Sequence, residues 1–134
     1  MSFTGGDALP KRTFGPLTRT DFVKYQGASG DFNPIHHDEL FAQAAGFPSV
    51  FSVGMLQAGY LATYVTDLFG PVNIRRFRVQ FREQVWPGDV LTCRGNVSDV
   101  RVAGGSGEKV LDLDLEVTTQ RGATAIAGTA TVAV

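Results

Sequence analysis

The spacing of apolar positions predicts helix in the first half of the chain and strand in the second. From Gly54 to Phe69 the residues are apolar on nearly every side, which is typical of a helix buried in the interior. Gly70 and Pro71 follow directly and indicate its end, because glycine tolerates the final turn and proline cannot continue the helix. We therefore expect one long central helix over residues 54–69.

Beyond Pro71 apolar residues recur at every second position, the period of a half-buried strand. This pattern predicts four strands separated by turns: Ile74–Val85, Val90–Val97, Val110–Val117 and Ile126–Val134. A short strand is also expected over Ala8–Phe14, after a loose N-terminal segment of residues 1–7. The sequence thus predicts one domain over residues 1–134, a curved antiparallel sheet wrapped around the central helix, which is an α+β architecture.

Two shorter helices are predicted before the central one. Thr18 and Asp21 match a capping box, in which each side chain bonds the other residue's backbone amide, so a helix should run from about Arg19 to Ala28. Its buried side is expected to hold Phe22, Val23, Tyr25 and Gln26. Asp38 is a typical N-cap and predicts a second, short helix. Between the two helices Asn33-Pro34 indicates a turn, since proline pushes the preceding residue out of the helical region.

This turn holds the clearest candidates for acid–base chemistry. Asp31 and His36 lie five residues apart within it. On one continuous helix their side chains would point about 140° apart, since each residue rotates the helix by about 100°. The bend at Pro34 lets them face each other. The adjacent His37 should point away, so we expect it to be exposed or structural.

Composition narrows the classes of function. Charged residues make up 19% of the 134 residues and the formal net charge is −1, so there is no broad basic surface for nucleic acid or anionic lipid. The single cysteine, Cys93, excludes an intramolecular disulfide and suits a reducing cytosol. The N-terminus lacks the pattern of a signal peptide, and polar residues dilute the uncharged stretch from Ala42 to Thr66. We expect a cytoplasmic protein with no nucleic-acid partner and no membrane insertion.

Three segments, in this order, resemble one known family. They are Tyr25–His36, which contains Ser-Gly-Asp-Phe-Asn-Pro-Ile-His, then Gly54-Met55-Leu56, then Gln80–Asp89, which ends in Trp-Pro-Gly-Asp. Together they resemble the MaoC-like, or (R)-specific enoyl-CoA hydratase, branch of the hot dog fold from roughly Thr13 to the C-terminus. The resemblance implies a sheet wrapped around one helix, which agrees with the fold predicted above.

The resemblance implies (R)-specific hydration of trans-2-enoyl thioesters to 3-hydroxyacyl thioesters, or the reverse dehydration, with no metal or redox cofactor. It also implies that Asp31 and His36 are the catalytic pair and that the Gly54 amide donates to the thioester oxygen. An imidazole with an ordinary pKa near 6.5 can accept a proton from water at neutral pH. Coenzyme A and acyl carrier protein both remain open as the carrier, and so do the direction and the acyl chain.

Other residues are candidates for substrate contacts. Four lie in or near the motifs and are candidates for the substrate pocket, although aromatic residues are more often core: Asn33, Phe51, Met55 and Tyr60. Arg76 and Arg78 alternate with apolar positions, and we hypothesise that they meet the coenzyme A phosphates; a solvated strand face explains them equally well.

Two positions depart from the family pattern. Many relatives have histidine before the helix-start glycine, where this chain has Val53, and some have a serine in the central helix, where it has Ala62.

Hot dog domains generally pair edge to edge, so the resemblance implies a homodimer or a heterodimer with another hot dog chain. Two alternative functions stay open: a non-catalytic or co-catalytic subunit of a heteromeric hydratase, and an acyl thioesterase.

Overall fold

The computed structural model describes residues 2–134, which form a five-stranded antiparallel sheet and three α-helices. The helices are α1 (Arg19–Ser29), α2 (Glu39–Ala44) and α3 (Gly54–Phe69), with short 3-10 turns at Pro34–His36 and Pro71–Asn73. The strands are β1 (Arg12–Phe14), β2 (Ile74–Phe81), β3 (Leu91–Val102), β4 (Lys109–Thr119) and β5 (Thr124–Ala133). They lie in the order β1-β3-β4-β5-β2, so the predicted α+β fold is confirmed.

The central helix α3 covers the predicted residues. Its inner side is buried against the sheet through Ala58, Leu61 and Val65, where it meets the aliphatic residues that alternate along β3 and β4. Although α3 is apolar on nearly every side, only the side that the sheet covers is buried, so the predicted burial is confirmed for that side alone. Met55 is 54% exposed on the outer side.

The N-terminal segment is paired where it was expected to be loose. The Gly6 amide donates to Val97 of β3 at 2.7 Å, and the Phe3 ring packs against Phe69 with centroids 5.8 Å apart. Ala8 forms an isolated bridge to Asn96, so the strand expected over residues 8–14 is split into this bridge and β1. Residues 6–9 thus extend the sheet along the edge of β3. Met1 lies outside the described residues.

Strand β2 is shorter than predicted. A bulge between Ile74 and Arg76 lets Ile74 and Phe77 share a face although they are three residues apart. The strand ends at Phe81, before the predicted Val85. Val85 is still buried, but its carbonyl accepts the Ser52 amide at 2.8 Å, from the loop before α3. The chain therefore leaves the sheet here to build one wall beside the start of the central helix.

The predicted turn at residues 86–89 is held by a buried carboxylate. Asp89 is 3% exposed and accepts hydrogen bonds from the Trp86 amide (2.9 Å), Gln120 Nε2 (2.8 Å) and Arg121 Nη2 (2.7 Å). Burial alone raises the pKa of Asp89, but these hydrogen bonds outweigh it and hold the pKa below the ordinary value. The carboxylate therefore ties the turn before β3 to the turn after β4.

The capping predictions for the short helices are confirmed. Thr18 Oγ1 accepts from the Asp21 amide at 3.1 Å and Asp21 Oδ2 accepts from the Thr18 amide at 2.8 Å. Asp38 caps α2 through the Phe41 amide. Val23, expected on the buried side of α1, is exposed.

Among residues 2–134, no helix has both the length and the apolar content to cross a bilayer.

Candidate active site

Gln26 holds the turn that carries the two acid–base candidates. It is buried in α1, and its Nε2 donates to the carbonyl of Asp31 at 2.8 Å and to the carbonyl of Asn33 at 3.0 Å. Both N–H groups of the amide are then used, so Oε1 acts as an acceptor. His37 Nδ1 lies 3.0 Å from that oxygen and must therefore be the donor. His37 is thus an exposed residue with a structural bond, as predicted.

The Asp31 carboxylate faces solvent and is only partly engaged. Its Oδ1 accepts from the Asn33 amide at 3.2 Å, and Asn33 Oδ1 in turn accepts from the Ile35 amide at 3.1 Å. Such side-chain bonds to the backbone two residues on are typical of aspartate and asparagine in turns. No other hydrogen bond reaches this carboxylate from residues 2–134, so Oδ2 is open to a ligand or water.

The His36 ring is buried and its orientation is defined. Its Nδ1 lies 2.7 Å from the carbonyl oxygen of Phe51. A carbonyl only accepts, so Nδ1 carries the hydrogen and Nε2 is the basic nitrogen of the neutral ring. The Phe51 ring packs edge-on at 5.3 Å and is itself packed against Phe47 and Trp86. His36 is therefore held by both the backbone and the ring of Phe51.

His36 lines an open pocket of about 320 Å³ between the start of α3 and the end of β2. The walls come from the 3-10 turn, the loop before α3, the first turn of α3, the segment after β2 and the start of β5. They are formed by His36, Phe51, Ser52, Gly54, Gln57, Phe81, Arg82, Glu83, Gln84 and Ala125. The pocket thus joins segments that are far apart along the chain.

Gly54 presents a backbone amide at this pocket. It is the first residue of α3, and Val53 before it makes no side-chain cap. Within residues 2–134 the Gly54 amide has no hydrogen-bond partner, and the first amides of a helix carry the positive end of its dipole. A Cβ at this position would lie 3.1 Å from the Phe81 ring. Glycine therefore leaves room for an oxygen atom to approach the amide beside that ring.

The structure brings His36, Phe51 and Gly54, three of the predicted site residues, into this one pocket. Asp31 and Asn33 lie on the turn that leads to His36, but they do not line the pocket, and no hydrogen bond joins Asp31 to His36. The turn therefore positions the two acid–base groups separately, one on the protein surface and one in the pocket wall.

Two predicted pocket residues lie elsewhere on α3. Met55 is on the exposed outer side of the helix. The Tyr60 ring packs against Phe14 with centroids 4.5 Å apart, and burial, followed by the charge of Asp21, raises its pKa above the ordinary value. Neither side chain lines the pocket around His36.

The two predicted phosphate-binding arginines lie on the outer face of the sheet. Arg76 and Arg78 are exposed on β2, opposite Thr131 and Thr129 of β5, and Arg78 borders a separate open cavity there. Neither lines the pocket around His36, whereas Arg82, just after β2, does.

The sequence-based reasoning missed the two buried, uncharged polar residues of the pocket. Ser52 Oγ donates to Gln57 Oε1 at 2.6 Å, and both residues are buried and line the pocket. The available signal was an uncharged polar residue in the apolar first half of the central helix, since a buried polar group needs a partner. Gln26 was expected to be buried but was given no role.

Among residues 2–134 no group of three or more His, Cys, Asp or Glu side chains is placed to hold a metal ion.

The sheet wrapped around α3, with its pocket at the start of that helix, defines a hot dog domain. The (R)-hydratase from A. caviae, described as involved in PHA biosynthesis, has the same fold: the TM-score is 0.83 and the identity 26%, over 98% of this chain and 96% of that chain. The family described as "MaoC like domain" matches residues 6–120. The chain belongs to this MaoC-like family.

Curated relatives show the same likeness in sequence. An (R)-specific enoyl-CoA hydratase from Rhodospirillum rubrum is 32% identical over 120 residues, which cover 88% of this chain and 80% of that protein. The peroxisomal multifunctional enzyme type 2 of Mus musculus is 38% identical over 91 residues, 63% of this chain. The match spans only 12% of the length of that mouse enzyme.

Proposed function

We propose that this chain hydrates trans-2-enoyl thioesters to (R)-3-hydroxyacyl thioesters, or catalyses the reverse dehydration. One observation carries the proposal: a histidine with a defined basic Nε2 shares a pocket with the unpartnered amide at the start of α3. Such a pair provides a base for water and a donor for a thioester oxygen. The likeness to an (R)-specific enoyl-CoA hydratase supports the same reaction.

In the hydration direction, the oxygen of water bonds to C3 as Nε2 of His36 removes a proton from that water. The electron pair of the double bond moves toward C2 and the thioester oxygen, where the Gly54 amide donates a hydrogen bond. The acid–base pair then returns a proton to C2, which completes the addition of H and OH. We assign to Asp31, whose Oδ2 is open although the residue lies beside the pocket and not in its wall, the orientation of the water and the relay of the proton.

Each of these groups has a typical contribution to the rate. A positioned acid or base contributes about 10²- to 10⁴-fold in rate. A preorganised donor at the developing oxyanion contributes about 10²- to 10³-fold in kcat. Asp31 and His36 belong to one turn, although only His36 lines the pocket, and delivery of both groups from that turn would give syn addition.

The direct test is loss of the enoyl thioester absorbance when purified protein is mixed with crotonyl-CoA and with longer or branched enoyl-CoAs. We expect turnover, and a loss of about 10²- to 10⁴-fold in kcat for His36→Ala and for Asp31→Asn. Asp114→Asn is the matched control, because Asp114 is exposed in β4. Full activity in both site variants would contradict the assignment. Release of free thiol from a saturated acyl-CoA would indicate a thioesterase instead.

We also propose that the chain pairs with a second hot dog chain, identical or not. The outer edge of β2 has no partner strand within residues 2–134, and the edge is eight residues long. Phe81, which lines the pocket, is 56% exposed, and Met55, on the outer side of α3, is 54% exposed. Edge-to-edge pairing would cover them and close the pocket. Light scattering of the purified chain should show a dimer, and a monomer with full activity would contradict this pairing.

A further inference from the structure

We infer that Gln57 is a second hydrogen-bond donor to the thioester oxygen, acting beside the Gly54 amide. The inference deepens the proposed hydratase function and rests on it. Gln57 is not part of the turn that carries Asp31 and His36, and its side chain is distinct from the backbone amide of Gly54.

The Gln57 amide is held in one orientation. Gln57 is 3% exposed, and its Oε1 accepts from Ser52 Oγ at 2.6 Å. Ser52 is itself buried, and its backbone amide donates to the carbonyl of Val85 at 2.8 Å. The oxygen of the Gln57 amide is thus fixed toward Ser52, and Nε2 points away from it.

The Gln57 Nε2 atom has two N–H groups and no hydrogen-bond partner among residues 2–134. Among residues 2–134, Arg94 Nε is the only side-chain nitrogen or oxygen that is fully enclosed by protein and has no hydrogen-bond partner. Gln57 Nε2 is therefore not enclosed, and since Gln57 lines the pocket, its amide opens there. Both N–H groups are therefore free to donate to an oxygen atom that enters the pocket.

Helix geometry directs this donor toward Gly54. Gln57 follows Gly54 by three residues in α3, so the two lie on one side of the helix. Long side chains in a helix lean toward its N-terminus, over the preceding turn. The Gln57 amide is therefore aimed at the turn where the Gly54 amide emerges, and both residues line the same pocket.

The chemistry of the donor matches one atom of the substrate. Nε2 of glutamine can only donate, so it is unsuited to the water oxygen that His36 deprotonates but suited to an oxygen that gains negative charge. A thioester oxygen has two lone pairs, and the Gly54 amide uses one. Val53, just before Gly54, has no side-chain donor to offer the other. The pocket thus supplies two converging donors, one from the backbone and one from a side chain.

The test replaces Gln57 with leucine, which keeps the bulk and removes the donor. With crotonyl-CoA we expect kcat to fall about 10²- to 10³-fold, with a much smaller change in KM. A second readout needs no turnover: the infrared carbonyl stretch of bound butyryl-CoA labelled with ¹³C at the thioester. Its frequency should be lower in the wild-type complex than in Gln57→Leu, since a hydrogen bond weakens the C=O bond. Gln57→Met gives the same test if the leucine variant does not fold.

Gln43→Leu is the matched control, since Gln43 is exposed in α2, and it should leave both readouts at their wild-type values. A wild-type protein that binds no acyl thioester overturns this inference and the proposed function together. If the wild type turns over crotonyl-CoA and the carbonyl frequency is the same in Gln57→Leu, only the role of Gln57 is overturned. This conclusion would stand even if kcat falls in Gln57→Leu, because a loss of packing alone would lower kcat and leave the carbonyl frequency unchanged.

Discussion

Two aspartate turns in this chain use their carboxylates in opposite ways. Asp89 is buried, and its oxygens accept from the Trp86 amide, Gln120 and Arg121. Asp31 is exposed, and its carboxylate accepts only from the Asn33 amide among the described residues. A carboxylate whose lone pairs are filled by the protein stabilises the fold. One whose lone pairs are open is available to water or substrate.

A glutamine from a neighbouring segment accounts for much of this difference. Gln120 Nε2 donates to the Asp89 carboxylate, and its Oε1 accepts from the Val90 amide at 2.8 Å. Gln26 Nε2 instead donates to the backbone carbonyls at positions 31 and 33. The same type of side chain thus holds the Asp31 turn by its backbone and leaves the carboxylate uncommitted. Stability and chemistry are separated within one turn.

The largest effect is expected from Asp31→Asn. This change should lower kcat about 10²- to 10⁴-fold, because the amide cannot relay a proton as the carboxylate does. The free energy of unfolding should change by less than about 0.5 kcal/mol, as is usual for an exposed position. Steady-state kinetics and urea unfolding measure the two quantities. A large loss of stability would show that the Asp31 turn resembles the Asp89 turn after all.

The converse change, Asp89→Ala, should lower the free energy of unfolding by about 1.5–3 kcal/mol, since hydrogen bonds to a charged group are lost. The loss stays in this range because the Arg121 side chain, 45% exposed, can be rehydrated. Urea unfolding is the measurement. The kcat per folded molecule should stay near that of the wild type. A loss of kcat as large as that of Asp31→Asn would show that Asp89 is not purely structural.

Stability should also depend on pH through Asp89. Its pKa is lower in the folded state than in the unfolded chain, so its stabilising contribution is present above the unfolded pKa of about 3.9 and is lost as pH falls through the folded pKa. The free energy of unfolding should therefore decrease below about pH 4, and less steeply in Asp89→Asn. Measurement in high salt screens the exposed Arg101–Asp112 pair. Equal slopes for both proteins would contradict the assignment.

A smaller effect is expected from Gln26→Leu. The change removes two hydrogen bonds to backbone carbonyls, each worth about 0.5–1.5 kcal/mol net, and water can replace part of each. We expect a moderate loss of stability together with a lower kcat, because the turn then holds Asp31 less firmly. Lys24→Leu, at an exposed position of the same helix, is the control. An unchanged kcat would show that the turn needs no support from α1.

The smallest effect is expected from the arginines of β2. If Arg76 and Arg78 meet the coenzyme A phosphates, their replacement by alanine should raise KM for crotonyl-CoA a few-fold, since an exposed ion pair contributes about 0.2–1 kcal/mol. The effect should weaken in high salt and vanish with a short thioester that lacks the nucleotide. An unchanged KM would show that both arginines are solvated surface residues with no role in binding coenzyme A.

Local patterns in the sequence determined most of the elements. The bounds of α3, the capping box at Thr18 and the turn at Asn33-Pro34 were all predictable, because each depends on residues within a few positions of one another. The end of β2 was not, because Val85 keeps the apolar period while its carbonyl pairs with Ser52 from a distant loop. Periodicity indicates which side is buried but does not identify the backbone partner.

The sequence by itself also determined the MaoC-like resemblance and the identity of His36 and Gly54 as candidates. Only the tertiary structure decided that Phe51 defines the basic nitrogen of His36 and that Gln57 opens onto the same pocket. The reason is physical: what a polar side chain can do depends on which of its donors and lone pairs its neighbours already use. Those neighbours come from other segments, so their positions become known only when the chain is folded.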